Sequence, residues 1–442
     1  MHMFKYNGRL LVYDVNSSSL HQVDELGWEV IASLLQAKTC EDVKTLLEGK
    51  FLKSDIEEAL QQVEDLVKAR LLFTLPPIAT NGQAPTYNVK ALCLFISEKC
   101  NLNCRYCFAT EHNSSSSHMS WEVGKRAVDL LLNSTDSPFV EMDFFGGEPL
   151  LNFDLVKDVV AYARKWGPEK GKLFNFTLTT NALLLNEHII DFLNEENISV
   201  ILSLDGRPEV QDKMRPTLSG EGSYTRTVKN IKSFLQKRNN GDYFIRGTFT
   251  SNNLDFSCEV EHLLEQGFTS LSLEPVVAGE NTPYGLQEEH LPALEKEYDR
   301  LVDLYLQEKN KGRPFRFYHF DMDLEEGPCI FKRLSSCGAG VEYLAVSANG
   351  DIYPCHQFCG EKEFYMGNIL QDNFSPDKNI RELMAEAPLK REDCKTCWAR
   401  YLCGRGCAAT SYFLGGSLTR PHSLSCALQK MRLERALYLQ AV

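Results

Sequence analysis

The sequence predicts an α/β protein centred on a partial parallel β/α barrel, with a small unit before it and a cysteine-rich segment after it. Three observations support this: apolar runs alternate with helical segments mid-chain, short strands precede helices at the start, and cysteines crowd the last third. Alternating strands and helices indicate parallel β/α units. In such barrels the chemistry lies at the carboxyl ends of the strands.

Residues 1–80 form the first predicted domain. Short apolar runs alternate around "NSSS" in "FKYNGRLLVYDVNSSSLHQVD", which indicates two or three strands. Helical periodicity follows in three consecutive segments, "ELGWEVIASLLQ", "CEDVKTLLEGKF" and "SDIEEALQQVEDLVKARLLF". A hairpin followed by three helices is a winged-helix pattern. The linker "TLPPIATNGQAPTYN", rich in Pro, Asn and Thr, ends this domain.

Residues 88–310 form the second predicted domain, the barrel. Strand-like runs recur there, and segments such as "WEVGKRAVDLLLNS" between them have helical periodicity. The runs are "VKALCLFIS", "FVEMDFFGG", "LFNFTLTTN", "ISVILSLDG", "YFIRGTFTS" and "SLSLEPV". Repeats of this number indicate a barrel or a partial barrel, and we expect a partial (β/α)6 TIM-like barrel.

Composition excludes several classes of function. The chain has 442 residues and a net charge of −13, which argues against binding of nucleic-acid phosphates. No apolar run approaches the roughly 20 residues of a membrane span, and the N-terminus lacks a signal-peptide pattern. We therefore expect a cytoplasmic protein without a membrane partner. Its 15 cysteines are then expected to be metal ligands or catalytic groups rather than disulfides.

Two motifs follow consecutive predicted strands. Cys100, Cys104 and Cys107 come after the first strand, and "FFGGEP" ends the second, with Gly146, Gly147, Glu148 and Pro149. Three thiolates on a four-iron cubane leave one iron open, as a reactive site requires. Glycines allow close backbone approach, and Glu148 offers acceptors to a cation. A zinc or structural site, or three unrelated buried cysteines, is the alternative for the triplet.

Together these motifs resemble the signature of the radical S-adenosylmethionine (SAM) enzymes. The resemblance implies a [4Fe–4S] cluster whose open iron is chelated by SAM, which is cleaved to a 5′-deoxyadenosyl radical. It also implies that Gly146–Pro149 contact the SAM ammonium group. Further candidates for SAM contacts, mostly at strand ends, are Tyr106, Thr180, Ser203 and Arg215. The alternative is a helix cap or a surface ion pair for Thr180, Ser203 and Arg215, and packing in the core for Tyr106.

Residues 311–442 form the third predicted domain. The spacing of seven cysteines resembles the SPASM domain, which implies two auxiliary iron–sulfur clusters and three [4Fe–4S] clusters in all. The resemblance assigns Cys394, Cys397, Cys403 and Cys426 to one cluster and Cys337, Cys355 and Cys407 to the other. Cys329, less readily Cys359, or a substrate thiolate would complete the second. A pair of zinc sites is the alternative, and Cys40, Cys93 and Cys258 are expected to be buried packing residues.

The N-terminal unit resembles the winged-helix module by which ribosomal-peptide maturases bind a leader peptide as an added strand. DNA binding is the alternative, but the stretch "VKTLLEGKFLKSDIEEALQQVEDLVKAR" carries about as many acids as bases, and "DELGWEVIASLLQ" before it is acidic. With all three zones, the chain resembles the maturases of SCIFF peptides, which form Cys thioethers to an α-carbon. This implies a precursor-peptide partner and a reductant such as flavodoxin or ferredoxin. Formylglycine formation on sulfatases, a carbon–carbon crosslink, and a metal-sensing regulator are the alternatives.

Overall fold

The computed structural model describes residues 1–36, 38–76, 88–110, 117–238, 241–324 and 336–442. Most of the predicted linker and Cys329 lie outside these ranges. The described strands are β1 (His2–Tyr6), β2 (Arg9–Tyr13), β3 (Leu20–Val23), β4 (Ala91–Ser97), β5 (Phe139–Gly146), β6 (Leu173–Thr180), β7 (Ser199–Ser203), β8 (Tyr243–Phe249), β9 (Ser270–Pro275), β10 (Arg316–Phe317), β11 (Tyr343–Val346) and β12 (Ile352–Tyr353).

Helices connect these strands and make up much of the C-terminal segment. Side-chain caps fix several of their starts: Asp24 accepts from the Gly27 N–H, and Thr39 forms a capping box with Asp42. The helices are α1 (Glu25–Leu35), α2 (Cys40–Leu47), α3 (Lys53–Lys68), α4 (Trp121–Ser134), α5 (Phe153–Trp166), α6 (Glu187–Glu195), α7 (Pro208–Met214), α8 (Tyr224–Lys237), α9 (Phe256–Glu265), α10 (Leu291–Asn310), α11 (Lys378–Glu386), α12 (Glu392–Lys395), α13 (Arg400–Cys403), α14 (Ala408–Phe413) and α15 (Ser423–Gln440).

The central sheet has the strand order β10-β9-β8-β7-β6-β5-β4-β11-β12. From β4 to β9 each strand is parallel to the next, with at least one helix between strands that follow in sequence. This confirms the predicted α/β fold with six β/α units. The parallel order brings the carboxyl ends of all six strands to one rim, where the predicted motifs lie.

The two faces of this sheet differ in chemistry. Alternate residues of β5 to β9, such as Met142 and Val200, are buried in the main core that also contains residues of the flanking helices. The opposite face is largely polar and lines the inside of the partial barrel. Its side chains include Glu141, Asp143, Asn175, Thr177, Thr179, Ser203, Arg246, Thr248, Ser272 and Glu274. Because buried parallel strands are normally apolar on both faces, this polar face indicates a lumen that admits solvent or a ligand.

Strands β1 to β3 form a separate antiparallel sheet, and α1 to α3 cover it over an apolar cluster of their own. The "NSSS" turn between β2 and β3 has a structural role. The Asp14 carboxylate accepts hydrogen bonds from the backbone of Asn16, Ser17 and Thr74. The Arg400 guanidinium then donates to the Asn16 side chain at 2.6 Å. This turn therefore joins the N-terminal unit to the cysteine-rich segment.

The C-terminal segment is continuous with the barrel. Strand β11 pairs in parallel with β4, which extends the central sheet, and β12 returns antiparallel after the Asn349-Gly350 turn. Gly350 has a φ of 88°, which favours glycine in the predicted hairpin turn. Helix α15 packs along α10, and its Arg435 forms ion pairs with Glu295 and Asp299.

Candidate active site

The first cysteine group lies directly after β4, at the carboxyl rim of the sheet. Cys107 lies close enough to Cys100 and Cys104 that a thiolate there would oppose ionisation of both. The Cys100 sulfur accepts hydrogen bonds from the Leu102 N–H at 3.4 Å and the Asn181 amide at 3.8 Å. Burial raises the pKa of the Cys100 thiol to about 11 and that of Cys104 to about 12. At neutral pH these thiolates therefore need a bound cation.

Backbone hydrogen bonds hold the triplet loop in place. The Asn103 N–H donates to the Pro216 carbonyl at 2.8 Å, and the Arg105 N–H donates to the Met214 carbonyl at 2.9 Å. Both acceptors lie at the end of α7, on either side of Arg215. The loop after β4 is thus fixed to the segment that follows β7, across the mouth of the barrel.

The Gly-Gly-Glu-Pro motif ends β5 and packs against the backbone that leads into the triplet. Gly146 has a φ of 129°, in the region that favours glycine. A Cβ on Gly147 would lie 2.5 Å from the Lys99 carbonyl oxygen and 2.7 Å from that of Glu98. The Gly147 N–H instead donates to the Ser97 carbonyl at 2.7 Å. These glycines are needed for close packing beside the triplet.

Glu148 is fully buried at the start of the short turn Pro149–Asn152. Its carboxylate accepts from the Thr180 hydroxyl at 2.7 Å, the Asn181 N–H at 2.8 Å and the Leu150 N–H at 3.1 Å. Burial outweighs these bonds and raises its pKa to about 7. A cationic ligand beside Glu148 would favour the ionised form.

A second buried carboxylate, Asp205, follows β7. It accepts from the Tyr106 hydroxyl at 2.5 Å, the Arg215 guanidinium at 3.0 Å and the Thr248 N–H at 2.9 Å. The Arg215 guanidinium also lies 5.4 Å from the centre of the Tyr106 ring. The structure therefore joins two predicted residues, Tyr106 and Arg215, through Asp205.

The structure gives the residues that we predicted to contact SAM different hydrogen-bond partners and different degrees of burial. Thr180 donates its hydroxyl to Glu148, so it positions that carboxylate. Ser203 is half-buried on the polar lumen face at the end of β7. The strand-end motifs "TLTTN" and "SLDG" also contain Asn181 and Asp205. Their position after parallel strands marked them as polar strand-end residues, but the sequence did not show that they contact Glu148, Tyr106 and Arg215.

The structure brings the seven tail cysteines together in two groups. A Cys407 thiolate would oppose ionisation of Cys337 and Cys355. In the other group, a Cys426 thiolate would oppose ionisation of Cys394 and Cys403, and a Cys397 thiolate would oppose that of Cys394 and Cys426. Burial raises the pKa of the Cys355 thiol to about 12 and that of Cys403 to about 11. The chemistry of both sets, clustered thiols that need a cation to ionise, fits iron–sulfur ligation.

Short elements position these thiols. Cys394 lies in α12, Cys403 ends α13, and Cys426 lies in the first turn of α15. The Cys407 sulfur caps α14 by accepting from the Thr410 N–H at 3.5 Å. Between Cys403 and Cys407, all three residues have positive φ values of 64° to 76°. This turn separates two cysteines only four residues apart, so that each belongs to a different set.

The described cysteines outside the triplet and the seven tail positions differ in how deeply they are buried. Cys359 and Cys93 are buried neighbours in an apolar cluster, and the Cys359 thiol donates to the Cys355 carbonyl. Cys359 is thus next to Cys355, whereas Cys329 lies outside the described residues. The expectation that Cys93 is buried is confirmed, and Cys258 is half-buried. Cys40 is exposed, so its predicted burial is wrong: it occupies the first turn of α2 on the side facing solvent.

A cavity of about 910 Å³ connects the barrel lumen to the cysteine-rich segment. Its lining includes Arg246, Glu274, Cys337, Cys403, Cys407 and Cys426. A ligand in this cavity would contact both the lumen wall and the tail cysteines.

Within the described ranges, no three or more His, Cys, Asp or Glu side chains are close enough to hold a single metal ion. A four-iron cluster does not need such a group, because it distributes its thiolates over separate irons.

Comparison with known proteins identifies the family. The radical SAM superfamily profile matches residues 94–244, and the SPASM iron–sulfur cluster-binding domain matches residues 337–398. "Uncharacterized protein MJ0907" of Methanocaldococcus jannaschii is 30% identical over 294 residues, which are 64% of this chain and 90% of that protein. The chain belongs to the radical SAM superfamily and carries a C-terminal SPASM domain. It is an enzyme that binds SAM and iron–sulfur clusters.

Other relatives have more specific names. The "Cysteine-type anaerobic sulfatase-maturating enzyme" of Clostridium novyi is 27% identical over 344 residues, 72% of this chain and 88% of the relative. The structure of Streptococcus suis SuiB bound to the precursor peptide SuiA superposes with a TM-score of 0.53 at 17% identity. That match covers 94% of this chain and 96% of SuiB, and it concerns the fold alone. No helix in the described residues is long and apolar enough to cross a membrane.

Proposed function

We propose that this enzyme joins a Cys sulfur to the α-carbon of another residue, as a thioether, in a ribosomally synthesised Cys-rich precursor peptide. The supporting observation is the pair of unequal cysteine sets in the tail. Among the described residues, the resemblance assigns three ligands to the second cluster, Cys337, Cys355 and Cys407, one fewer than four irons need. Two of these three cysteines line the cavity. A substrate thiolate entering from the lumen would supply the missing ligand.

The barrel residues have separate roles in this proposal. Cys100, Cys104 and Cys107 hold the first cluster, and Gly146, Gly147, Glu148 and Pro149 form the wall that receives the SAM amino group. Thr180 orients Glu148, while Ser203, Tyr106 and Arg215 face the remaining polar groups of SAM. When bound, SAM and the reduced cluster supply the carbon-centred radical that removes a hydrogen atom from the peptide. A small protein reductant such as flavodoxin or ferredoxin provides the electron.

The lumen residues receive the peptide and its protons. Asp143 lies on the polar face of β5, where burial and the Glu141 carboxylate raise its pKa to about 7. A carboxyl group with this pKa takes up and releases a proton near neutral pH. We assign Asp143 the role of accepting the proton that the substrate thiol loses. The tail cysteines would hold the two auxiliary clusters in the sets already described, which gives three [4Fe–4S] clusters in all. One auxiliary cluster would accept the electron that is released when the thiolate and the α-carbon radical form the C–S bond.

Each of the three predicted domains has its own role in this proposal. Residues 1–80 bind the leader peptide at the edge of strand β3, which pairs on one side only within the described sheet. Residues 88–310 carry the SAM site, and residues 311–442 carry the auxiliary clusters. Leader binding raises the effective concentration of the core peptide at the barrel mouth. The SuiA-bound SuiB structure supports a peptide partner for a protein of this fold.

Mass spectrometry tests the proposal. Anaerobically reconstituted protein is incubated with SAM, dithionite and synthetic precursor peptides taken from short Cys-rich reading frames beside the gene. Thioether formation removes two hydrogens and one alkylatable thiol, and fragmentation then locates a Cys linked to another residue. A product that keeps every alkylatable thiol would contradict it.

Formylglycine formation is the second candidate, because a named relative is a sulfatase-maturating enzyme. A sulfatase-derived Cys peptide serves as the competing substrate in the same assay. An aldehyde product that reacts with a hydrazide probe, without a crosslink, would favour this second activity.

A further inference from the structure

Arg391 has the largest fully buried side chain among the described residues, with 0% of its surface accessible. It lies directly before α12, and its carbonyl oxygen accepts from the Cys394 N–H at 3.1 Å. A buried guanidinium is costly unless hydrogen bonds and a counter-charge compensate for the lost hydration. The residues around Arg391 supply some of the hydrogen-bond acceptors that its guanidinium needs, but not all of them.

Two of the three guanidinium nitrogens of Arg391 donate hydrogen bonds to backbone carbonyl groups. Its Nε donates to the Leu418 carbonyl at 2.9 Å, and its Nη1 donates to the carbonyls of Arg405 and Gly406. The last two belong to the turn between Cys403 and Cys407. Nη2, by contrast, is buried and has no hydrogen-bond partner among the described residues. A charged donor that is left unpaired in the interior costs more free energy than a neutral one.

Cysteines surround Arg391. Thiolates at Cys394, Cys407, Cys403 and Cys426 would each favour the charged form of its guanidinium, whereas burial opposes it. Three of these belong to the four-cysteine set, and Cys407 belongs to the other. As thiols these groups are neutral, and they would leave the guanidinium without a counter-charge. As ligands of an iron–sulfur cluster they would form an anion that also offers sulfur acceptors.

We propose that Nη2 of Arg391 donates a hydrogen bond to the iron–sulfur cluster of the four-cysteine set, and that its charge raises the reduction potential of that cluster. The inference rests on the proposed assignment of these cysteines as ligands. Reduction adds one electron to the cluster, so the reduced form is the more negative of the two. A fixed cation and an N–H donor stabilise that form preferentially.

The test is an EPR-monitored redox titration of the reconstituted full chain with Cys100, Cys104 and Cys107 replaced by Ala, so that only the auxiliary clusters contribute. Arg391→Gln removes the charge and is expected to shift one midpoint potential to a lower value. Arg391→Lys keeps the charge and is expected to give a smaller shift. Lys395→Gln removes a positive charge next to Cys394, but Lys395 is exposed and paired with Glu392, so the potentials should not move.

Pulsed ENDOR on the same protein labelled with ¹⁵N-arginine keeps the proposal testable if Arg391→Gln does not fold. Hyperfine coupling from an arginine nitrogen to a reduced auxiliary cluster is expected, and Arg391→Lys should abolish it. Unchanged potentials in fully loaded Arg391→Gln, or no arginine coupling, would overturn the inference. Protein that loads no iron on the tail cysteines would refute the proposed clusters, whereas loaded clusters with unchanged potentials would refute only the role of Arg391.

Discussion

The barrel rim and the cysteine-rich tail hold their site residues in different ways. At the rim, the functional side chains follow regular strands, and buried contacts such as Thr180–Glu148 and Arg215–Asp205 satisfy their polar groups within the protein. In the tail, Cys394 and Cys403 lie on four-residue helices, Cys407 caps a six-residue helix, and Cys426 lies in the first turn of the long helix α15. The largest fully buried side chain there, Arg391, keeps a donor without a hydrogen-bond partner among the described residues.

This difference indicates that the rim is preformed, whereas the tail depends on its clusters. Strand pairing from β4 to β9 and the apolar main core supply the order of the rim. The turns around Cys394–Cys407 have fewer regular backbone bonds, so ligation contributes a larger share of their folding free energy. The following predictions test this comparison, from the largest expected effect to the smallest.

Removing iron should disorder the tail far more than the barrel. We expect amides of residues 392–413 to lose nearly all protection from hydrogen exchange in apo protein, because metal ligation orders that segment. Amides of β5 and β6 should stay protected in apo and reconstituted protein alike. Hydrogen exchange with mass spectrometry measures both regions in one sample. Equal protection of residues 392–413 in the two forms would contradict the comparison.

Replacing the buried carboxylate at the rim should weaken SAM binding. Glu148→Gln removes a charged acceptor, and we expect the SAM dissociation constant to rise about tenfold to a hundredfold. Equilibrium dialysis of reconstituted protein against SAM measures this change. Glu122→Gln is the control, since Glu122 is exposed on α4 and pairs with Arg126. Unaltered SAM affinity in Glu148→Gln would remove this residue from the proposed SAM site.

Close packing at the rim predicts a smaller effect. Gly147→Ala places a methyl group against the carbonyls of Lys99 and Glu98, and we expect a loss of about 1–3 kcal/mol of stability. Gly49→Ala is the control, because a Cβ there meets no atom within 4 Å. Denaturant unfolding of both variants measures the difference. If the two variants were equally stable, the backbone approach at Gly147 would not be as tight as described.

The smallest expected effect is a change with pH. Burial raises the pKa of Glu148 from 4.5 to about 7, so folded protein keeps a proton that the unfolded chain releases. This contribution to stability is present at low pH and is lost as pH rises to about 7. Thermal unfolding without SAM should therefore show a steeper decline over this range in wild type than in Glu148→Gln. Parallel pH profiles would show that Glu148 is already ionised in the folded protein.

Local patterns made much of the rim predictable. The alternation of strands and helices located all six barrel strands, and the cysteine triplet and Gly-Gly-Glu-Pro motif lie at the rim as expected. The role of Asp205 was not predictable, because its partners Tyr106 and Thr248 are brought together only by the tertiary fold. Sequence distance gives no indication of such contacts.

In the cysteine-rich tail, the sequence predicted less of the structure, and for a different reason. The SPASM resemblance implied two sets of thiols, and the structure brings these cysteines together in two groups, while their assignment as cluster ligands stays a prediction. It did not predict that β11 joins the barrel sheet, because a four-residue strand has too little pattern to recognise. Arg391 was also missed: a single arginine in a polar segment looks like a solvated residue, and only the folded structure reveals its burial.

Formation of 5′-deoxyadenosine tests the central claim most directly, namely that the three rim cysteines hold the cluster at which SAM is cleaved. Wild-type protein and Cys104→Ala are reconstituted without oxygen, supplied with SAM and dithionite, and assayed by chromatography alongside iron and sulfide analysis. We predict product from wild type and none detectable from Cys104→Ala, which should lose about a third of the iron while keeping that of the tail. Product from Cys104→Ala, or none from fully loaded wild type, would contradict the account.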